Sequence, residues 1–180
     1  MNNSKAKKKR ILTAVQVKAI FERFAREMAK QYGSLDQVVF IGIRTRGPYV
    51  AKRLAEIVKQ RHKKEIPIGE MDITLYRDDL NALLPGGTID HTRIPFDIAN
   101  KIVVLFDDVL HTGRTVRAAV DHLIDLGRPR MIHLAVMIDR GGRELPIAAN
   151  YVGKKINLKA GGNVEVRLKE VDKTDEVFVE

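Results

Sequence analysis

The sequence predicts an α/β fold: an open, mostly parallel twisted sheet with helices on both faces. Three observations carry that prediction. Continuous apolar runs recur at 38–43 (VVFIGI), 101–106 (KIVVLF) and 131–139 (MIHLAVMID), and such runs mark strands covered on both faces. Segments of helical periodicity alternate with them at 13–32, 48–62 and 115–126, and strand–helix alternation is the signature of a parallel sheet. The loops leaving the strands, at 44–47, 107–115 and 139–145, are dense in polar residues. Ligands of open parallel sheets bind at such carboxyl ends, so the three loops are expected to share one crevice.

The chain has 180 residues and a formal charge of +9. Lys5, Lys7, Lys8, Lys9 and Arg10 lie among the first ten residues, which hold no acid. Residues 1–10 therefore read as a basic, disordered tail and 11–180 as a single domain. A basic balance invites anionic partners: nucleotides, RNA or anionic lipid. No apolar run approaches the ~20 residues of a membrane span. No apolar segment follows the basic start, which excludes a secretory signal there. With no cysteine, a reducing, cytoplasmic location is expected.

Taken in order, Ile20, Phe24 and Met28 repeat at helical spacing with Phe21 and Ala25 beside them, predicting a helix capped by Thr13 and stopped by Gly33. Arg23, Arg26 and Lys30 form a stripe opposite that face. Pro48 suits the first turn of the second helix, which buries Leu54, Ile57 and Val58. A strand is predicted over 66–76. The long polar stretch 77–98 is expected to be a functional or mobile loop. Gly127 and Pro129 end the third helix. Met131 and Met137 are assigned to the core of their strand. "VEVRL" and "VFV" around "DKTD" predict a short antiparallel pair near the C-terminus.

The chemistry concentrates in "IVVLFDDVLHTGRT" (102–115). Thr112, Gly113, Arg114 and Thr115 open a helix, and N–H groups at a helix start with two hydroxyls make a phosphate cradle. Asp107 and Asp108 cannot serve that phosphate; they suit hydroxyls or a developing positive charge. A ribose 5-phosphate needs both features. A Walker P-loop and a dinucleotide fingerprint are absent. Asp139 and Arg140 can form a local ion pair at a strand end.

"VVLFDDVLHTGRT" resembles the phosphoribosyl-diphosphate motif of type I phosphoribosyltransferases. With "IGIRTRGPYVAKRLA", "GEMDITLYRDDL", "TRIPFD", "DLGRP", "DRGGRELPI" and "YVGK", residues 11–180 resemble the PyrR family of bifunctional pyrimidine operon regulators and uracil phosphoribosyltransferases. The resemblance implies a pentosyltransferase, a glycosyltransferase that converts uracil and phosphoribosyl diphosphate to UMP and pyrophosphate, with Mg²⁺ carried by the substrate. It implies that Thr45, Arg46 and Gly47 grip the pyrophosphate, with a strained backbone aiming N–H groups at it. The run Asp107, Asp108, Val109, Leu110, His111, Thr112, Gly113, Arg114 and Thr115 would hold the sugar phosphate. Arg77, with Asp78 and Asp79, would form the base of a flexible hood, and Arg77 would join Asp107, Asp108 and Arg46 in catalysis. Arg140 and Val164 would line the nucleobase end. His111 reads as a loop residue rather than a base. A homo-oligomer, dimer or tetramer, is implied. So is UMP- or UTP-dependent binding of a leader messenger RNA stem-loop, for which Arg23, Arg26 and Lys30 are the candidates. A purine-type salvage transferase and an RNA-binding regulator with vestigial catalysis stay open. The loop at 154–163 departs from the family, which more usually carries an N-V-P-T-S run there.

Overall fold

The computed structural model describes residues 8–74, 91–158 and 161–180. Its elements, in chain order, are β1 (Lys9–Leu12), α1 (Ala14–Tyr32), β2 (Val38–Ile43), α2 (Gly47–His62), β3 (Ile68–Met71), β4 (Ile102–Leu110), α3 (Arg114–Leu126), β5 (Met131–Asp139), β6 (Tyr151–Lys155), β7 (Val164–Arg167), α4 (Lys169–Asp172) and β8 (Glu176–Val179). Five strands form a parallel sheet in the order β3-β2-β4-β5-β6. β1, β8 and β7 form a separate antiparallel sheet in that order.

The continuous apolar strands are covered on both faces, as their composition requires. Phe40, Val104 and Phe106 point into one core with α1 and α2. Val39, Ile41, Val103 and Leu105 point into the other with α3. Period-two alternation along β2 and β4 divides the side chains between the two cores. Thr13 caps α1 in a full capping box with Gln16, and Gly33 closes it, as predicted.

Five expectations are corrected here. Lys9 and Arg10 are not tail: they begin β1, which pairs with β8, and Lys8 bridges Glu165 and Glu180 at 2.7 and 2.9 Å. The ordered domain therefore starts ahead of residue 11. The C-terminal pair, correctly expected, is the rest of a three-stranded sheet that joins the two ends of the chain. β6 was not anticipated, because Tyr151–Lys155 offers only two apolar residues before Gly153 and two lysines. β3 covers only part of 66–76, and Met131 is exposed at the edge of β5 although Met137 is buried. Finally, β4 does not end at Phe106. It continues through Asp107 and Asp108 to Leu110, held by β5 alone beyond Phe106.

Candidate active site

The site follows from strand order. From β2 the chain crosses through α2 to β3 on one side. It then returns to β4 on the other side of β2. The connections diverge between β2 and β4, and an open parallel sheet leaves its crevice at such a point, beyond the strand ends. β2 stops at Ile43 while β4 runs on, so the acid pair overhangs the gap. A crevice of about 470 Å³ lies there, lined by Arg44, Thr45, Arg46, Asp72, Ile73, Thr74, His91, Asp107, Asp108, Val109 and Thr115.

Two of the three predicted loops therefore converge, and the third does not line the crevice. The 139–145 loop leaves β5, one strand further along, and backs the 107–115 loop instead. Arg143 Nη1 donates to the His111 carbonyl at 2.7 Å, and its Nη2 pairs with Asp139 at 2.6 Å. Asp139 thus pairs with Arg143 and not with Arg140. Arg140 Nη2 donates to the Gly162 carbonyl at 2.5 Å. Arg140 is thereby tied to the turn that leads into Val164, which sits against Val179 at the start of β7. Neither of the two residues expected at the nucleobase end is among the crevice lining.

Asp107 is buried and Asp108 is half-exposed. Burial first, and the Asp108 carboxylate second, push the Asp107 carboxyl well above its usual range. Its Oδ1 accepts the Asp108 N–H at 2.8 Å, and Asp108 Oδ1 accepts the Val109 N–H at 2.9 Å. Both carboxylates are thus fixed by backbone before any ligand arrives. Val109 lines the crevice, whereas the Leu110 side chain is core and offers only backbone.

The helix start has the expected form. Gly113, with φ of 95°, is the N-cap of α3, directly before Arg114, and has no side chain with which to cap the helix, so the N–H groups after that of Arg114 stay available to an anion. Thr112 Oγ1 accepts the Arg114 N–H at 3.3 Å. The Arg114 side chain pairs with Glu144 at 2.6 Å and leaves backbone, not guanidinium, at the cradle. His111 is exposed; partial desolvation of its ring and then the nearby Arg140 charge hold its pKa below the usual value.

Across the gap, the Arg44–Thr45 peptide is cis. Arg46 lines the crevice and donates from Nη2 to Asp172 Oδ1 at 3.1 Å, while its Nε is buried without a partner among the described residues. Arg44, Asp72, Thr74 and His91 were missed by sequence reasoning. Burial alone would raise the Asp72 carboxyl, but the hydroxyl and N–H of Thr74 outweigh it, helped by Arg44 and His91, and hold it below its usual range. The signal was weak: the strand predicted over 66–76 took in Asp72 and Thr74, whereas the observed β3 stops at Met71 and leaves both at its carboxyl end. Arg77, Asp78 and Asp79 lie outside the described residues.

Arg23 does not lie opposite the core face of α1. Its Nη2 donates to the carbonyls of Val152 and Gly153 at 2.8 and 3.0 Å, closing the outer edge of β6. Arg26 and Lys30 are exposed.

Comparison with known proteins agrees with this geometry. The family model described as the phosphoribosyl transferase domain matches residues 8–170. The chain is 49% identical over 171 residues to the "Bifunctional protein PyrR" of Chloroflexus aurantiacus, covering 95% of this chain and 94% of the relative. The PyrR of Thermus aquaticus is 46% identical over 170 residues, with 94% of each chain covered. Among solved structures, a hypoxanthine phosphoribosyltransferase of Trypanosoma cruzi superposes with a TM-score of 0.75 at 17% identity, covering 95% of this chain and 94% of that one. One from Staphylococcus aureus gives 0.68 at 21%, covering 94% and 90%. The last two share the fold alone. A parallel sheet with an acid pair overhanging its switch point, a bare helix start beside it, and relatives this similar over nearly the full length place the chain in the phosphoribosyl transferase domain family and, within it, among the bifunctional PyrR proteins.

Proposed function

We propose that the protein transfers phosphoribose from phosphoribosyl diphosphate to uracil, giving UMP and pyrophosphate, and that it also regulates pyrimidine genes by binding leader messenger RNA under control of UMP or UTP. The observation that carries the first part is the placement of Asp107 and Asp108 between the bare N-terminus of α3 and the Thr45–Arg46–Gly47 loop. A sugar carrying a 5-phosphate and a 1-diphosphate spans such a gap. The phosphate takes the N–H groups and hydroxyls of 112–115. The ribose hydroxyls take the carboxylates, and the diphosphate takes the 45–47 loop, with Arg44 beside it.

The bond from the anomeric carbon to the diphosphate oxygen breaks as the uracil N1 forms its bond to that carbon, and the proton displaced from N1 leaves to the departing diphosphate or to solvent. The ring becomes oxocarbenium-like, and the two fixed carboxylates favour that charge without reorganising. The electron pair leaves with the diphosphate, whose charge Arg46 and the loop N–H groups stabilise. Among the described residues no group of three His, Cys, Asp or Glu side chains could hold a metal ion; Mg²⁺ enters this proposal as part of the diphosphate substrate. His111, a loop residue outside the crevice lining, is not assigned as the base. Arg140 and Val164 are assigned to the uracil end, and Arg77 to closure over the sugar.

RNA regulation rests on the family and on the exposed Arg26 and Lys30. No helix among the described residues is long and apolar enough to cross a membrane; the cytoplasmic setting is proposed from the family. A homo-oligomer, dimer or tetramer, would cover the exposed Ile124, Leu126 and Met131.

The test is an assay with phosphoribosyl diphosphate, Mg²⁺ and, separately, uracil, orotate, hypoxanthine and adenine. UMP is expected to be the main product. A preference for hypoxanthine or adenine would favour the purine salvage reading, and absence of any nucleotide product would favour regulation with vestigial catalysis.

A further inference from the structure

Arg46 and Arg53 lie two turns apart on one face of α2, and both are held by the short segment around α4. Arg53 is the anchor. Its Nε donates to Glu170 Oε1 at 2.9 Å, its Nη2 reaches the other Glu170 oxygen, and Nη2 also donates to Asp175 Oδ1 at 2.9 Å. Its side chain is only 13% exposed. Asp175 is fixed in turn by the Lys169 N–H at 2.9 Å. This double attachment ties the α4 segment to α2, beside the apolar packing of Val166, Leu168 and Val177.

Arg46 makes the weaker attachment. It meets Asp172 through Nη2 alone, at 3.1 Å to Oδ1 and 3.4 Å to Oδ2. Asp172 is itself immobilised, because its Oδ2 accepts the Leu168 N–H at 3.0 Å and Leu168 is fully buried. A fixed carboxylate therefore grips one nitrogen of a guanidinium that lines the crevice, Nη2, and leaves Nη1 to another anion. A side chain that carries four rotatable bonds is set in one orientation before substrate binds.

We propose that Asp172 is a positioning residue for Arg46, setting its guanidinium toward the diphosphate from a part of the chain more than a hundred residues away. This rests on the reading that Arg46 binds the diphosphate. A neighbouring carboxylate also opposes an incoming anion. That opposition is the smaller effect, since the Arg46 and Asp172 side chains are 30% and 20% exposed and solvent screens the longer interaction more than the direct pair. The orienting contact, once lost, is not replaced by solvent.

The experiment is steady-state kinetics of the full chain with the variants Asp172→Asn, Arg46→Ala and both together, and Glu170→Gln as a docking control. Asp172→Asn keeps an oxygen for the Leu168 N–H and removes only the charge. It is expected to raise KM for phosphoribosyl diphosphate about fivefold, the scale of a partly exposed ion pair, with KM for uracil and the melting temperature unchanged. In the Arg46→Ala background it should do nothing further. Glu170→Gln should lower the melting temperature without altering either KM. The proposal is overturned if Asp172→Asn leaves KM unchanged while Arg46→Ala raises it, since the pair is then docking alone. It is overturned if Asp172→Asn lowers KM, because Asp172 then competes with substrate, and also if the effect persists unaltered in the Arg46→Ala background. Should Arg46→Ala itself leave that KM unchanged, the assignment of Arg46 to the diphosphate fails, and the positioning role fails with it.

Discussion

Gly47 packs against the carbonyl of Phe106 so closely that a Cβ on Gly47 would stand 2.2 Å from that oxygen. Phe106 is the last β4 residue paired with β2, and Asp107 follows it. The start of α2 and the root of the acid pair are therefore in backbone contact, with no side chain between them. The distance between the diphosphate loop and the carboxylates is set there.

Gly47→Ala is expected to damage both stability and the site. The clash is with backbone, which cannot rotate away, so α2 must shift. Overpacking of this kind costs ~1–3 kcal/mol, read in urea unfolding, and should raise KM for phosphoribosyl diphosphate as the 45–47 loop moves. Unaltered unfolding and kinetics would mean that the helix start accommodates a methyl group, contrary to the geometry.

Asp107→Asn should make the protein more stable and less active. The folded state opposes ionisation of this buried carboxyl. The penalty is absent below the unfolded value of ~3.9, grows as pH rises through the window up to the raised folded value, and is full above it. Asparagine removes the penalty and keeps an oxygen for the Asp108 N–H. Its melting temperature should exceed the parent's at pH 8 and match it near pH 4. With Asp108→Asn added, turnover should fall ~10²–10³-fold, the cost of losing a preorganised electrostatic contact. A double variant that melts lower at pH 8 would show the carboxylates to be structural.

Arg23 must be separated from Arg26 and Lys30. Arg23→Ala breaks two bonds to β6 carbonyls and should cost ~1 kcal/mol or more in stability. Arg26→Ala with Lys30→Ala should leave stability alone. If these two contact RNA phosphates, the pair should flatten the log–log salt dependence of leader RNA binding by roughly 1–2 units, taking ~0.7–0.9 per contact. Uracil transfer should be unaffected, since neither residue lines the crevice. An unchanged slope would leave both as solvated cations.

Removal of residues 1–7 should be tolerated, and removal of residues 1–12 should not. The longer deletion strips β1 from β8, exposes the buried site of Leu12 and takes away the Ile11 carbonyl that accepts from Lys154 at 3.0 Å. Loss of one buried leucine alone costs ~2–5 kcal/mol. Thermal melts of the two truncations check this, and equal melting would return β1 to the status of a tail.

The sequence by itself determined the parts whose information is local. The sheet core at Val38–Ile43, Ile102–Phe106 and Met131–Asp139 was legible because strands buried on both faces must be apolar throughout. α1 was legible from its period and from Thr13 and Gly33 at its ends. The phosphate cradle and acid pair were legible because a helix start, its hydroxyls and the preceding carboxylates are consecutive in the chain. Only the tertiary structure decided what depends on residues far apart. β6 forms from a segment with little strand character of its own because β5 offers it an edge. β1 forms at the end of a run of cations because β8 offers it an edge, with Glu176 facing Arg10 and with Glu165 and Glu180 facing Lys8 just before it. Strand order placed the crevice between β2 and β4, which brought in Asp72, Thr74 and His91 and kept the 139–145 loop out of its lining. Arg23 and Arg26 sit on the same helix, but β6 lies within reach of only one of them, and that fixed which became structural. In each case the partner comes from a distant part of the chain, and no periodicity in the local sequence encodes it.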